Sequence, residues 1–179
     1  PILLLSLQAT TILSLLQSAL PIDLVRGGID RPPLGEGLSG VILALQLFLL
    51  VILQWPIGRW LSLYKQSFGL AISISNFCIG TLMLGLSAMW EEGILLILIA
   101  QVPLAIALAA FLPTATEAIT QVTPIKYRGI SMALFSQCFA ISALIAPVIA
   151  GIIIDIQGNG MLIWLTMSLS CLSMLPLIS

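Results

Sequence analysis

Six long apolar runs separated by short polar segments dominate the sequence. A helix needs roughly 20 apolar residues to cross a hydrocarbon core of about 30 Å, and a helix satisfies its own backbone polar groups in lipid. The sequence therefore predicts an all-α polytopic membrane protein in which residues 1–179 form one six-helix transmembrane bundle. The predicted spans lie approximately at Ile2–Ile22, Leu38–Trp60, Phe68–Met89, Gly93–Ala118, Ile130–Ile154 and Met161–Ile178.

The scarcity of charge excludes several classes of protein. Only 7% of the residues are charged and 60% are hydrophobic, whereas about 25% of a soluble domain is charged. This composition excludes a soluble enzyme and makes the lipid bilayer the expected partner. Six basic residues and a net charge of -1 also exclude a nucleic-acid binder, which needs a basic surface.

The residue types required for catalysis or metal binding are missing or scattered. The sequence has no histidine, and Cys78, Cys138 and Cys171 lie far apart in apolar stretches without metal-ligand spacing. A membrane-embedded enzyme needs a nucleophile with its base, a pair of facing aspartates or a metal. We therefore expect no enzyme activity, no metal and no cofactor.

Basic residues in the connections predict the orientation. The second and fourth connections hold four basic residues, and the first, third and fifth hold two basic and six acidic residues. Positive charge favours the cytoplasmic side, so we expect an integral plasma (inner) membrane protein with both termini cytoplasmic and with its charges at the two membrane surfaces. An interfacial aromatic belt is expected at Trp55, Trp60, Tyr64, Trp90 and Trp164.

The first predicted helix carries a polar stripe. Thr10, Thr11, Ser14, Gln17 and Ser18 follow helical spacing along one face, while Gln8 lies off the centre of that face. Intramembrane polar residues are costly and point to function. Two interpretations stay open at this stage, because such a stripe lines a water-filled cavity or forms hydrogen bonds to a neighbouring helix.

The fourth predicted helix contains Gln101, Pro103, Pro113 and Glu117. Prolines remove backbone hydrogen bonds, and membrane helices tolerate them where the helix bends or borders a cavity. Glu117 is the only carboxylate clearly inside a predicted span. It is either a protonatable or substrate-pairing group, or an interfacial carboxylate near Lys126 or Arg128.

The fifth predicted helix has a ridge of small residues. Ser142, Ala146 and Ala150 recur every four residues, Gly151 follows the last, and Pro147 lies in the middle. Small residues at this spacing allow two helix backbones to approach closely. The ridge predicts a packing or gating surface without a ligand.

Three segments resemble elements of one six-helix half of a major facilitator superfamily transporter. TPIKYRGISMALFS (Thr123–Ser136) is similar to the family's Pro-x-x-x-Arg-Gly approach to the fifth helix, and SALIAPVIAG (Ser142–Gly151) matches the Pro and last Gly of its small-residue element. QWPIGRWLSLYKQS (Gln54–Ser67) resembles the second-loop element at Gly58 and in its basic character. Ser62 stands where that element has Asp, and the fourth helix has no Arg, which favours the C-terminal half.

The resemblance implies secondary transport of a small solute by alternating access between two six-helix halves. In the family the first and fourth helices line the cavity, which implies roles for Thr11, Ser14, Gln17 and Gln101, with Glu117 as the proton-coupling candidate. Neutral polar groups suit an uncharged or amphipathic solute. The implied gating or packing positions are Gly58, Pro103, Pro113, Ser142, Ala146, Pro147, Ala150 and Gly151.

Alternatives remain open at the level of sequence. A non-transporting scaffold and an oligomeric six-helix pore share the same apolar pattern. The chain starts at Pro1 without an initiator Met, so we expect it to be part of a longer protein and to need either a second half or a homodimer partner. Pro21-Ile-Asp23-Leu-Val-Arg26 matches one mitochondrial-carrier signature, but those carriers carry it three times, so we interpret the match as chance.

Overall fold

The computed structural model describes residues 2–178, which form helices joined by short connections. All six main helices are long and apolar enough to cross a membrane, the last together with the short 3-10 helix that follows it. This confirms the predicted all-α membrane fold. The helices are α1 (Ile2–Arg26), α2 (Glu36–Leu61), α3 (Gln66–Ser87), α4 (Gly93–Val122), α5 (Arg128–Gln157) and α6 (Met161–Met174), with 3-10 helices at Ile125–Tyr127 and Leu175–Ile178.

Several helices run past the predicted ends of their apolar runs. α1 continues through Asp23 to Arg26, and the next residue, Gly27, has a φ of 88°. α5 likewise continues to Gln157 and ends at Gly158, whose φ is 79° and whose N–H donates to the carbonyl of Ile154 at 2.8 Å. Left-handed glycines end these helices, so a charged side chain near the end of a span does not itself terminate the helix.

The helices alternate in direction across the bundle. Contacts of Asp23 and Arg31 with Gly160 and Ser87 bring the first, third and fifth connections to one end, which we call the odd-loop end. Gln66 at the start of α3 and Glu117 near the end of α4 meet at the opposite end, which we call the even-loop end. Consecutive helices are therefore antiparallel.

Helix pairing follows a repeated plan. α3 packs between α4 and α6, while α5 packs on α1 and α2 packs on α4. Suppose that α1, α2 and α3 are exchanged with α4, α5 and α6, respectively. The α1–α5 pair then becomes the α4–α2 pair, and the α3–α6 pair is unchanged. The same exchange relates the α3–α4 pair to the α6–α1 pair, yet α3 and α4 pack extensively and α6 and α1 barely touch.

Small residues allow α3 to pack closely against its neighbours. A Cβ added at Gly80 would lie 2.5 Å from Cγ of Leu104 on α4, and one at Gly85 would lie 2.8 Å from Cδ2 of Leu165 on α6. Ser73 donates a hydrogen bond from Oγ to the carbonyl of Ala107 at 2.9 Å. Small side chains and interhelical hydrogen bonds are the usual means of helix association in lipid.

The helices differ in how much of their surface the bundle covers. About half of α1, α3 and α4 is buried within the chain, but less than a quarter of α2, α5 and α6 is buried. The core is built around the fully buried rings of Trp164, Phe77 and Phe111. The two helices that flank α1 and α4, namely α2 and α5, therefore present most of their surface outward.

Candidate functional site

The polar stripe on α1 divides into two parts with different surroundings. Thr10 Oγ1 lies 2.8 Å from Oγ of Ser142 on α5, and Thr11 Oγ1 lies 3.1 Å from the same oxygen. Thr10 Oγ1 also donates to the carbonyl of Cys138 at 3.2 Å. For Thr10 and Thr11, the structure supports the interpretation that the stripe forms hydrogen bonds to a neighbouring helix.

The rest of the stripe, formed by Ser14, Gln17 and Ser18, is not fully covered by the other described helices. Gln17 is exposed, and Ser14 and Ser18 are half-buried. Ser18 Oγ donates to the carbonyl of Ser14 at 2.7 Å, so its hydroxyl is satisfied within α1. Ser14, Gln17 and Ser18 thus form an open polar strip, and its role in lining a solute cavity stays a prediction.

Gln101 does not lie on this open strip. Its side chain is fully buried within the bundle, where Nε2 donates to the carbonyl of Ile97 at 2.9 Å. Its Oε1 is buried and has no hydrogen-bond partner within residues 2–178. The structure therefore does not bring Gln101 together with Ser14 and Gln17.

Glu117 lies exposed at the even-loop end. Its Oε1 accepts hydrogen bonds from Nε2 of Gln66 at 3.1 Å and from Nε2 of Gln121 at 3.2 Å. Glutamine amides thus occupy the positions that the interfacial interpretation assigned to Lys126 or Arg128. Glu117 shares a pocket of about 130 Å³ with two other candidates, Gly58 and Pro113.

The small-residue ridge of α5 packs inside the bundle. Ser142, Ala146 and Ala150 are all buried, on the helix that packs against α1. Gly151 and Pro147 are only half-buried, and a Cβ added at Gly151 meets no atom within 4 Å. The same is true of Gly58 on α2, so these two glycines make no close helix contact inside the chain.

The prolines of α4 and α5 lie inside helices that continue past them. Pro103 and Pro113 are both within α4, and Pro147 is within α5. Pro103 and Pro147 are half-buried and Pro113 is exposed. Their gating role stays a prediction.

A polar cluster that sequence reasoning missed lies at the odd-loop end. Asp23 and Arg31 are 1% and 3% exposed, and Nη2 of Arg31 lies 3.2 Å from Oδ2 of Asp23. The same Nη2 donates to the carbonyl of Asp23 at 2.9 Å, and Nη1 donates to Oγ of Ser87 on α3 at 2.8 Å. A buried ion pair needs such additional bonds to offset desolvation.

The start of α6 completes this cluster. The N–H of Gly160 donates to Oδ1 of Asp23 at 2.7 Å, and the indole Nε1 of Trp164 donates to Oδ2 at 3.1 Å. A Cβ at Gly160 would lie 2.7 Å from Cγ of Asp23, so glycine permits the approach. Asp23 and Arg31 therefore connect α1, the first connection, α3 and α6.

One expectation is corrected by this cluster. Asp23 and Arg31 lie at the odd-loop end, where each neutralises the other and Gly160 and Trp164 donate to the carboxylate. Trp164 was expected in the interfacial belt, but it is fully buried because its indole N–H bonds to Asp23. The signal available in the sequence was an acid, Asp23, at the end of a helical pattern, followed by Arg31 within a Gly- and Pro-rich turn.

Six antiparallel membrane-length helices with a repeated pairing plan define a multi-pass integral membrane protein. A family model of the Major Facilitator Superfamily matches residues 2–179, so the chain belongs to that superfamily, whose members are transporters rather than enzymes. The repeated pairing agrees with the inverted three-helix repeats of such halves. No curated protein and no solved structure matches the chain significantly.

Asp23→Asn should destabilise the protein strongly, because it leaves the buried guanidinium of Arg31 without its counter-charge. The expected loss is about 3–5 kcal/mol of unfolding free energy, measured as thermal unfolding in detergent. Asp155→Asn is the matched control, since its pair with Arg26 is largely exposed and is worth about 0–1 kcal/mol. Equal losses in the two variants would contradict a structural role for the buried pair.

Proposed function

We propose that this chain is one six-helix half of a secondary transporter that moves a small uncharged or amphipathic solute by alternating access. The observation that carries the proposal is the open strip of Ser14, Gln17 and Ser18 on α1, which has neutral hydrogen-bonding groups and no covering helix within residues 2–178. Transporters of this type bind their solutes near the bilayer midplane between two halves.

The solute class follows from the charges near this strip. The two ionic side chains buried in the described bundle, Asp23 and Arg31, already neutralise each other. Glu117 lies exposed close to the end of α4 rather than on the strip. A solute with a net charge would lack a counter-charge there, whereas hydroxyl or amide groups find partners.

Gln101 supports the proposal that the bundle has a second conformation. A buried carbonyl oxygen without a hydrogen bond costs about 1–3 kcal/mol, and Oε1 of Gln101 is such an atom in this conformation. A rearrangement of α4 that exposed this oxygen to the solute path would satisfy it. Gln101 is therefore proposed to join the site in that conformation.

The expected partner is a second six-helix half packed against α2 and α5. Five small residues, each exposed, follow helical spacing along α5, and three do so near the start of α2. Small outward-facing residues favour a closely packed helix over lipid. These partner-facing stripes comprise Gly129, Ala133, Ser136, Ala140 and Ala143 on α5 and Gly37, Gly40 and Ala44 on α2.

The two helices are complementary in size at one end. The small part of α5 lies toward the even-loop end, where the stripe of α2 continues into the exposed Val51 and Trp55. A symmetric arrangement would set α2 of one half against α5 of the other, with these large residues of α2 opposite the small residues of α5. The same α2–α5 arrangement fits either a homologous second half or a homodimer. Ser62 and the absence of Arg from α4 favour the assignment of this chain to the C-terminal half of the carrier.

Ala140→Trp should weaken the contact between halves, because a closely packed helix cannot accommodate the indole. In a twelve-helix carrier we expect a loss of about 1–3 kcal/mol, measured as thermal unfolding, and in a homodimer we expect monomers on size exclusion in detergent. Val148→Trp, on the aliphatic side of α5, is the control. The partner assignment fails if both variants behave like the parent protein.

Gln17→Ala should raise the KM for transport of a neutral solute. Loss of one net hydrogen bond of about 1 kcal/mol corresponds to about a fivefold change. The measurement is initial uptake of a panel of neutral sugars, polyols and amides by proteoliposomes containing the full carrier. Gln157→Ala, at the exposed end of α5, is the control.

The same uptake assay separates the carrier from its alternatives. A carrier saturates with solute concentration, a pore gives uptake proportional to concentration, and a scaffold gives no uptake. Non-saturating flux, or unchanged KM in Gln17→Ala, would count against the proposed mechanism.

Glu117 is proposed to couple solute movement to protons. Glu117→Gln should abolish uptake driven by a pH gradient while preserving solute counterflow, because the amide keeps the hydrogen-bonding shape but cannot ionise. Glu91→Gln, an exposed carboxylate at the odd-loop end, is the control. Full pH-driven uptake in Glu117→Gln would remove Glu117 from the coupling mechanism.

The protein is proposed to lie in the plasma (inner) membrane with the even-loop end and both termini in the cytoplasm. Cysteines introduced at Arg59 and Lys126 should react with a membrane-impermeant maleimide only from the cytoplasmic side. A cysteine at Glu91 should react from the opposite side. The native Cys78, Cys138 and Cys171 are half-buried or buried within the spans. Opposite sidedness for Arg59 and Lys126 would refute the proposed topology.

A further inference from the structure

A lateral crevice of about 200 Å³ opens between α1, α5 and α6. The repeated pairing of the helices predicts that α6 packs closely on α1, as α3 packs on α4. The crevice lies where this α1–α6 packing is missing. Leu7, Leu15 and Ile163 form part of its inner wall, and Ile145 and Ile149 stand at its mouth. Thr11, one of the solute-cavity candidates, lies in its lining, whereas Ser14, Gln17 and Ser18 do not.

Hydrogen bonds join α1 and α6 at two levels, one on either side of the crevice. Toward the even-loop end, Nε2 of Gln8 on α1 donates to Oγ of Ser170 on α6. Toward the odd-loop end, Asp23 accepts from the N–H of Gly160 and the indole of Trp164. The two levels are about 22 Å apart along α1, at 1.5 Å per residue. The crevice is thus a gap between two points at which α6 is attached to α1, and a shift of α6 to fill it would strain these bonds.

The lining of the crevice has little hydrogen-bonding capacity to offer an occupant. Its three hydroxyl groups belong to Thr11, Ser142 and Thr166, and the other side chains that line it are apolar. The donor protons are used within the protein, since Thr11 donates to the carbonyl of Leu7 at 2.7 Å, Ser142 bonds to the hydroxyls of α1, and Thr166 donates to the carbonyl of Ile163 at 2.9 Å. A buried water needs two to four polar partners, so the crevice favours an apolar occupant over water.

The mouth of the crevice faces the aliphatic side of α5. Ile141, Ile145 and Ile149 are each about half exposed there, away from the partner-facing stripe of small residues. The α5 part of the lining, from Ile141 to Ile153, is about 18 Å long at 1.5 Å per residue. One leaflet of the hydrocarbon core measures about 15 Å, so the length suits a single acyl chain.

We propose that this crevice binds one acyl chain of a membrane phospholipid, which enters sideways from the bilayer. An empty cavity destabilises a fold in proportion to its volume, and hydrocarbon chains are the molecules present at this mouth. The occupant fills the gap between α1 and α6 that the protein's own side chains leave. The proposal depends on the membrane location of the chain and not on its transport activity.

Photolabelling tests the site in the full-length protein. The protein is reconstituted in vesicles of phosphatidylethanolamine and phosphatidylglycerol that contain a phospholipid with a mid-chain diazirine, then mixed with excess unlabelled lipid and illuminated. Mass spectrometry should show several-fold more lipid adduct on Ile145, Thr166 and Met167 than on Val148 and Ile152, because a bound chain exchanges more slowly than bulk lipid.

Variants in which a larger side chain fills the crevice provide the matched comparison with the parent protein. Thr166→Trp and, separately, Ile145→Phe should remove the excess labelling, while Leu169→Trp, on an exposed position of α6, should keep it. Equal labelling of crevice and bulk-facing positions after the chase would overturn the proposal. Labelling of Val148 and Ile152 with no adduct at Ile145 would also overturn it, because it would show that lipid does not reach the mouth of the crevice.

Discussion

Hydrocarbon surroundings remove the hydrophobic effect as a force between helices, and every association in this bundle depends on what replaces it. Lipid tails are as apolar as leucine, so helices associate through close backbone approach and interhelical hydrogen bonds. Gly80 and Gly85 provide the close approach for α3. The hydroxyls of Thr10 and Ser142 join α1 to α5. Polar residues that a soluble protein would place at its surface therefore hold this protein together from within.

The polar contacts are distributed unequally between the two ends. The odd-loop end combines the buried Asp23–Arg31 pair, its bonds to Ser87, Gly160 and Trp164, and the exposed Arg26–Asp155 pair. The even-loop end has the glutamine bonds of Glu117 and a bond between the hydroxyls of Thr123 and Ser131. The bonds at the even-loop end are exposed or half-buried, whereas the odd-loop end contains a fully buried ion pair that is costly to break, so the even-loop end is the more easily separated of the two.

The number and order of the helices could be predicted from the sequence because the bilayer sets a minimum apolar length for each span. Helix ends were harder, since α1 continues through Asp23 and ends only at Gly27. The burial of Asp23 and Arg31 could not be predicted, because it depends on an acceptor from Ser87 and a donor from Trp164, each more than fifty residues away along the chain from its partner.

The candidate site was only partly accessible from the sequence. Helical spacing placed Thr10, Thr11, Ser14, Gln17 and Ser18 on one face, but it could not show that α5 covers the first two and leaves Gln17 exposed. Gln101 shows the same limit, since periodicity identifies a polar residue without telling which side of the helix has neighbours. Family membership supplies the transporter class.

The buried ion pair also constrains the order in which the chain can be assembled during synthesis. Asp23 and Arg31 are only eight positions apart, so the first helix and the turn after it can neutralise their own charges as they leave the translocation machinery. The acceptor Ser87 comes with α3, and the donors Gly160 and Trp164 come later, at the start of α6. The sixth helix of this bundle therefore completes the coordination of a carboxylate on α1, which makes its arrival the step that closes these six helices.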